Sequence, residues 1–250
     1  MEITKVVILK DGNDFTWATD TAGNDSTAYV AQTVLNQAIE KANIAFKDLD
    51  YIMVTGTGRM NIKFANKEIP EFLCLAKGIN HVLPSTLILL DLGARKSLAV
   101  RCSDGKAMKI AASDKCASGT GAFLEMLVTI LKIGIPEMDE LFFKSKNDLE
   151  IQSTCSVFAE SEIISLVHSG CRREDIVRGV FRGLAGRIYP QLYGLGMEKD
   201  IALVGGVARS KAIVVALEEK VGFKILVPEN PQIIGALGAA LIAREQRSKL

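Results

Sequence analysis

The stretch "TLILLDLGARKSLAVRCSDGKAMKIAASDKCASGTGAFLEML", residues 86–127, decides the architecture. It reads as three strands joined by glycine-containing turns, then a glycine-broken turn and an apolar helix carrying Leu124, Leu127, Val128 and Leu131 on one face and stopping at Gly134-Ile135-Pro136. The same succession recurs elsewhere. "YIMVTGTGR" (51–59) is a short strand running into glycines, and "IALVGGVARS" (201–210) is strand, glycine turn and helix start. Strand-glycine-helix units dominate the chain, which makes it α/β.

The remaining segments fit that class. "ITKVVILKDGNDFTWAT" (3–19) predicts a hairpin about an Asp-Gly turn. "STAYVAQTVLNQAIEKANI" (26–44) predicts an amphipathic helix with Val30, Val34, Ala38 and Ile39 inward. A helix over 69–79 ends at Gly78, helices follow over 156–170 and 173–193, and a polar passage covers 144–154. A final strand is expected over 223–231 and a small-residue helix over 233–246.

Composition narrows the function classes. The 250 residues are 48% hydrophobic and 24% charged, as in an ordinary soluble globular protein with a sizeable core. Thirty basic against 29 acidic residues leave a net charge of +1, which argues for neither nucleic acid nor a membrane as partner. The N-terminus lacks a secretory pattern and no apolar run reaches the ~18 residues of a membrane span, so the expected location is cytoplasmic.

Five cysteines (Cys74, Cys102, Cys116, Cys155 and Cys171) are an odd number spread through a large chain, read as core thiols, redox sites or metal ligands. Cys116 and Cys155 each stand just ahead of a helix. Unpaired amides and the positive dipole end favour thiolate there, so both are primed as metal ligands. Two thiolates fill half of an iron-sulfur or closed zinc site, and a symmetric dimer could supply the other two.

"SDKCASGTGAFLEML" (113–127) together with "STCSVFAESEIISLVHSG" (153–170) closely resembles the ATPase family of 2-hydroxyacyl-CoA dehydratase activators and benzoyl-CoA reductase ATP-binding subunits. "TGTGR", "VGGVARS" and "GALGAAL" extend the resemblance over nearly the whole chain. It implies a two-lobed fold like those of actin and sugar kinases, with ATP or ADP and Mg2+ between lobes formed by 1–85 plus 233–250 and by 86–232. It also implies one [4Fe-4S] cluster shared by two subunits, held by Cys116 and Cys155 of each, in a homodimer or a heterodimer with a paralogous ATPase subunit. Ferredoxin or flavodoxin would be the electron donor and an acyl-CoA dehydratase or reductase the acceptor.

Residue by residue, Asp91 matches the acid of the second phosphate loop that positions magnesium or its waters, with Gly93 in the same turn. Gly205 and Gly206 match the adenosine-side loop, and Gly56 and Gly58 an N-terminal nucleotide turn. Glu71 matches an acidic helical residue of the family. Glu160 and Glu162 read as first-turn carboxylates complementing a helix dipole. Cys74, Cys102, Cys171, His81 and His168 fit no metal pattern, and Arg172 and Arg173 fit a solvated loop.

The chain also departs from the family. Relatives open with a strand ending in Asp-x-Gly-Ser, the first phosphate loop; here Thr4 to Leu9 matches only the strand that follows it. Either Met1 is an internal methionine and the native protein continues upstream, or the chain is a truncated paralogue that binds nucleotide poorly. The second loop reads Asp91-Leu92-Gly93-Ala94-Arg95-Lys96 where activators carry Asp-x-Gly-Gly-Gln-Asp, so Lys96 replaces an acid. Leu75 stands where many relatives have His. The leading expectation is an ATP-coupled, cluster-containing electron donor to an acyl-CoA dehydratase or reductase. The alternatives are a non-hydrolysing cluster-bridging or regulatory subunit paired with a competent ATPase, and an actin-like or sugar-kinase-like protein without metal.

Overall fold

A computed structural model describes residues 3–248, apart from 11–13, 22, 24, 114–120, 148, 150 and 152–155. Its centre is a four-stranded sheet in the order β7-β6-β5-β8. Strand β5 (Ile88–Leu92) runs antiparallel to β6 (Ser97–Ser103) and parallel to β8 (Ile201–Val204), and β6 pairs on its other side with β7 (Lys106–Ser113). Side chains alternate across a strand. Ile88, Leu90 and Leu92 therefore enter one core while Leu89 enters another. Helices cover both faces, which explains why β5 is apolar almost throughout.

The larger core holds buried residues of α3 (Gly121–Leu131), α4 (Ile135–Lys144), α5 (Ser156–His168), α6 (Arg173–Gly194) and α7 (Lys211–Val221). Phe123, Phe142 and Phe181 are fully enclosed in it. On the opposite face Leu75, Ala76 and Ile79 of α2 (Glu71–Val82) meet Leu89, Val100 and Val204. The last helix, α8 (Ile234–Arg247), lies on α2 and also contacts β1 (Ile3–Leu9) and β3 (Met53–Val54).

The expected hairpin forms. β1 pairs antiparallel with β2 (Phe15–Thr21), Ile3 opposite Thr21 and Leu9 opposite Phe15. Helix α1 (Thr27–Ala42) packs on it through Val30, Val34 and Ala38, at the four-residue spacing that lines one helical face. Ser26 caps α1 by accepting from the Tyr29 amide, and Asn43 ends it in the left-handed conformation at φ 52°. β3 pairs in parallel with β4 (Lys67–Glu68), giving a separate small ladder.

Four expectations need correction. The strand expected within 51–59 is only two residues long, Met53–Val54. Gly78 does not end its helix: α2 continues to Val82, and Gly78 is buried because a β-carbon there would stand 2.2 Å from the Ile234 carbonyl oxygen of α8. Ile135 and Pro136 open a helix, α4, rather than merely closing α3, since proline is favoured in a first turn where its missing N–H costs nothing. The strand expected over 223–231 reduces to one bridge between Ala202 and Leu226, with Pro228 and Pro231 unable to donate to a ladder.

Candidate functional site

β5 and β8 are parallel neighbours with Asp91 opposite Val204, so the residues that follow them leave the sheet side by side. Ligands of α/β sheets bind in such crevices beyond the carboxyl ends of strands. After β5 the backbone turns sharply, the Gly93 amide donating to the Lys96 carbonyl at 3.1 Å. The turn is stitched to the start of α3: the Gly121 amide donates to Gly93 O at 2.9 Å and the Ala122 amide to Ala94 O at 2.8 Å. After β8, Gly205 adopts φ +90°, and a β-carbon there would stand 2.4 Å from both Asp91 Oδ1 and Leu92 O. Only glycine allows the two loops this approach.

Asp91 and the glycines at 56, 58, 93, 205 and 206 all line one cleft of about 2140 Å3. They do so for different reasons. Gly56 has φ +86° and open space where a side chain would be, so its backbone is exposed to the cleft. Gly58 lies against α1, where a β-carbon would stand 2.3 Å from Cγ2 of the exposed Thr27 and that side chain would have to turn aside.

The cleft's charged groups gather around Asp91. Glu71, the first residue of α2, forms an ion pair with the Lys96 ammonium from the β5–β6 turn. Burial raises the Asp91 carboxyl to about 6 and the neighbouring Glu71 charge adds to the rise, while Lys5 and Lys96 oppose it. A carboxyl near 6 changes its charge within the physiological range. Among the described residues no three His, Cys, Asp or Glu side chains gather as a metal site.

Asp139 of α4 fixes the far side of the glycine loop. Its carboxylate accepts from Ser210 Oγ at 2.5 Å and from the backbone amides of Lys211 and Ala212 at 2.8 and 3.1 Å. It thus caps α7 from a distant helix, in place of the local Ser210, whose side chain caps nothing. Neither Asp139 nor Gly121 was singled out as a site residue from the sequence. Pro136 at a first helical position was the available signal for α4, but its partner lies over seventy residues away.

Cys116 and Cys155 lie outside the described residues. The helices that follow them, α3 and α5, contact each other, and α5 begins at Ser156. Cys74 and Cys102 are buried core thiols, each raised to about 11 chiefly by burial, and Cys171 is exposed. Glu160 and His168 are exposed on α5, and no helix among the described residues is long and apolar enough to cross a membrane.

The model of the BadF/BadG/BcrA/BcrD ATPase family matches residues 3–243. The chain belongs to this family. The activator of lactoyl-CoA dehydratase of Anaerotignum propionicum is 38% identical over 98% of this chain and 95% of its own length. The solved activator of the 2-hydroxyisocaproyl-CoA dehydratase from Clostridium difficile, with bound ADPNP, superposes with a TM-score of 0.92 at 36% identity, covering 99% of this chain and 92% of that one. Component A of the Acidaminococcus fermentans (R)-2-hydroxyglutaryl-CoA dehydratase gives 0.95 at 32% identity, covering 99% and 95%. The actin-like, sugar-kinase-like ATPase fold implied by the sequence motifs is therefore the fold of this family member.

Proposed function

We propose that this chain is the ATP-coupled activator subunit of a 2-hydroxyacyl-CoA dehydratase, with nucleotide in the cleft between residues 1–85 plus 233–250 and residues 86–232. The observation that carries the reading is the meeting of the Asp91–Gly93 turn with the Gly205–Gly206 turn at the ends of adjacent parallel strands. The likeness to dehydratase activators, one of them solved with a nucleotide analogue, supports the same reading.

In this reading the Gly205–Gly206 backbone lies against the adenosine side: Gly205 is drawn in against Asp91 and Leu92, and the space beside Gly206 is open. Asp91 presents its carboxylate towards the phosphates. Magnesium keeps most of its waters and needs one or two carboxylates beside phosphate oxygens, a demand Asp91 meets from the cleft lining. Cys116 and Cys155 supply two thiolates per chain, half the ligands of a [4Fe-4S] cluster, which fits a site completed by a second subunit. When bound, that cluster supplies one-electron transfer towards the dehydratase, with ferredoxin or flavodoxin as donor. The helices after both cysteines belong to the same core as the turns around Asp91, so nucleotide-dependent movement has a packed route to them.

A second reading, a non-hydrolysing subunit paired with a competent paralogue, is favoured by Lys96 standing at the phosphate turn. The deciding experiment is anaerobic purification of the chain, with iron content, dimerisation and ATP turnover measured together. Four irons per dimer, lost in Cys116→Ser, together with turnover by the chain alone support the activator. Iron with no turnover selects the second reading, and a monomeric iron-free protein overturns both.

A further inference from the structure

The Glu71–Lys96 ion pair is a contact that neither the packing nor the proposed nucleotide chemistry requires. It joins the first residue of α2 to the β5–β6 turn across the cleft floor, beside Asp91. Both side chains remain partly open to the cleft, Lys96 by 37% and Glu71 by 24%. An ion pair so exposed holds its partners only weakly. A terminal phosphate group carrying up to two negative charges is a stronger acceptor for an ammonium than one carboxylate. The turn that carries Lys96 is itself rigid, closed by the Gly93 amide and tied to α3 through Gly121 and Ala122, so the lysine is presented from a fixed base.

We infer that Lys96 is an exchangeable phosphate ligand, held by Glu71 when the cleft is empty and transferred to the nucleotide phosphates on binding, which frees the head of α2. The inference rests on the nucleotide reading above and deepens it. The shared influence of Glu71 and Lys96 on the Asp91 carboxyl agrees with all three groups facing the same small volume. Release of Glu71 reaches further than the cleft, because α2 is locked to α8 at Gly78 and Gly238. Lys96 also provides part of the charge neutralisation that magnesium otherwise supplies, so some affinity for triphosphate persists without the metal.

Opposite signs from the two halves of one ion pair provide the test. Binding of ATP and of adenosine is measured by calorimetry, with magnesium and with EDTA, for the wild-type chain and for Lys96→Gln, Glu71→Gln and the double variant. Lys96→Gln is expected to weaken ATP binding about tenfold while leaving adenosine unchanged. Glu71→Gln is expected to tighten ATP binding about threefold, since Lys96 no longer has to be withdrawn from a partner. In the double variant that gain disappears, whereas simple repulsion between Glu71 and phosphate would leave it intact. If wild type binds ATP but both single variants shift it in the same direction, or neither shifts it, or Lys96→Gln weakens adenosine equally, the exchange is refuted and the nucleotide reading stands. If wild type binds neither ligand, the nucleotide reading itself is refuted and the exchange with it.

Discussion

A β-carbon on Gly205 would stand 2.4 Å from Oδ1 of Asp91, so the end of β8 and the acid at the end of β5 are in backbone-to-carboxylate contact. The φ of +90° adds a second constraint that side chains resist. Gly205→Ala is expected to lose about 2–4 kcal/mol of stability from the combined strain and clash, read as a lower urea midpoint at unchanged slope.

Asp91 makes stability depend on pH in a direction opposite to that of a salt-bridged acid. Its folded pKa of about 6 exceeds the ordinary 3.8, so the folded chain holds that proton more tightly than the unfolded one. Ionising the group therefore opposes folding: its penalty is absent below about pH 4, grows as pH rises through 6 and is complete above it. Asp91→Asn should be more stable than wild type by about 3 kcal/mol at pH 8, with the difference vanishing near pH 4. Paired melting curves across that range check the sign as well as the size.

Removing Asp139 strips three hydrogen bonds from Ser210 and the first turn of α7. Asp139→Ala should cost about 1–2 kcal/mol, as loss of a helix cap does, and should raise amide exchange at Lys211 and Ala212 specifically.

The crossing of α2 and α8 allows no side chain at its centre. A β-carbon on Gly238 would lie 1.7 Å from the Cys74 carbonyl oxygen and 2.9 Å from the Gly78 amide nitrogen. Gly238→Ala has to push two helices apart, so a loss of more than about 3 kcal/mol is expected, visible as insoluble protein or loss of near-ultraviolet dichroism.

Thiol reactivity should separate the cysteines that the structure describes. Burial holds Cys74 and Cys102 protonated near pKa 11, whereas Cys171 is exposed. Iodoacetamide at pH 8 should label Cys171 in the native protein and reach Cys74 and Cys102 only after denaturation, as peptide mass analysis would record.

Local signals made much of this fold legible. The apolar run of β5, the Asp-Gly hairpin and the Ser26-capped helix are each decided within a few residues, and the sequence reading places them correctly. What it misreads depends on distant partners. Gly78 looks like a terminator until Ile234 of α8 arrives against it, and the apolar run at 223–231 loses its strand because Leu226 alone finds a neighbour, bonding Ile201 and Leu203. The site divides in the same way. Asp91, Gly93, Gly205 and Gly206 announce themselves as turns after strands, and pairing of β5 with β8 brings them together. Asp139 was not visible as a site feature, and Glu71 and Lys96 were noted singly but not as partners, because each contact joins elements that only the folded chain makes neighbours.

The position of α8 also sets an order of assembly. Strands β1 and β3 near the start of the chain rest on a helix that begins at Ile234, so their packing closes loops spanning most of the polypeptide. Such long-range closure is slow, and on a ribosome the surfaces of these strands that α8 covers would have to wait bare until translation had passed α8, although β2 and α1 are already at hand for β1. During that interval the surface that α8 later covers is the natural client for a holding chaperone.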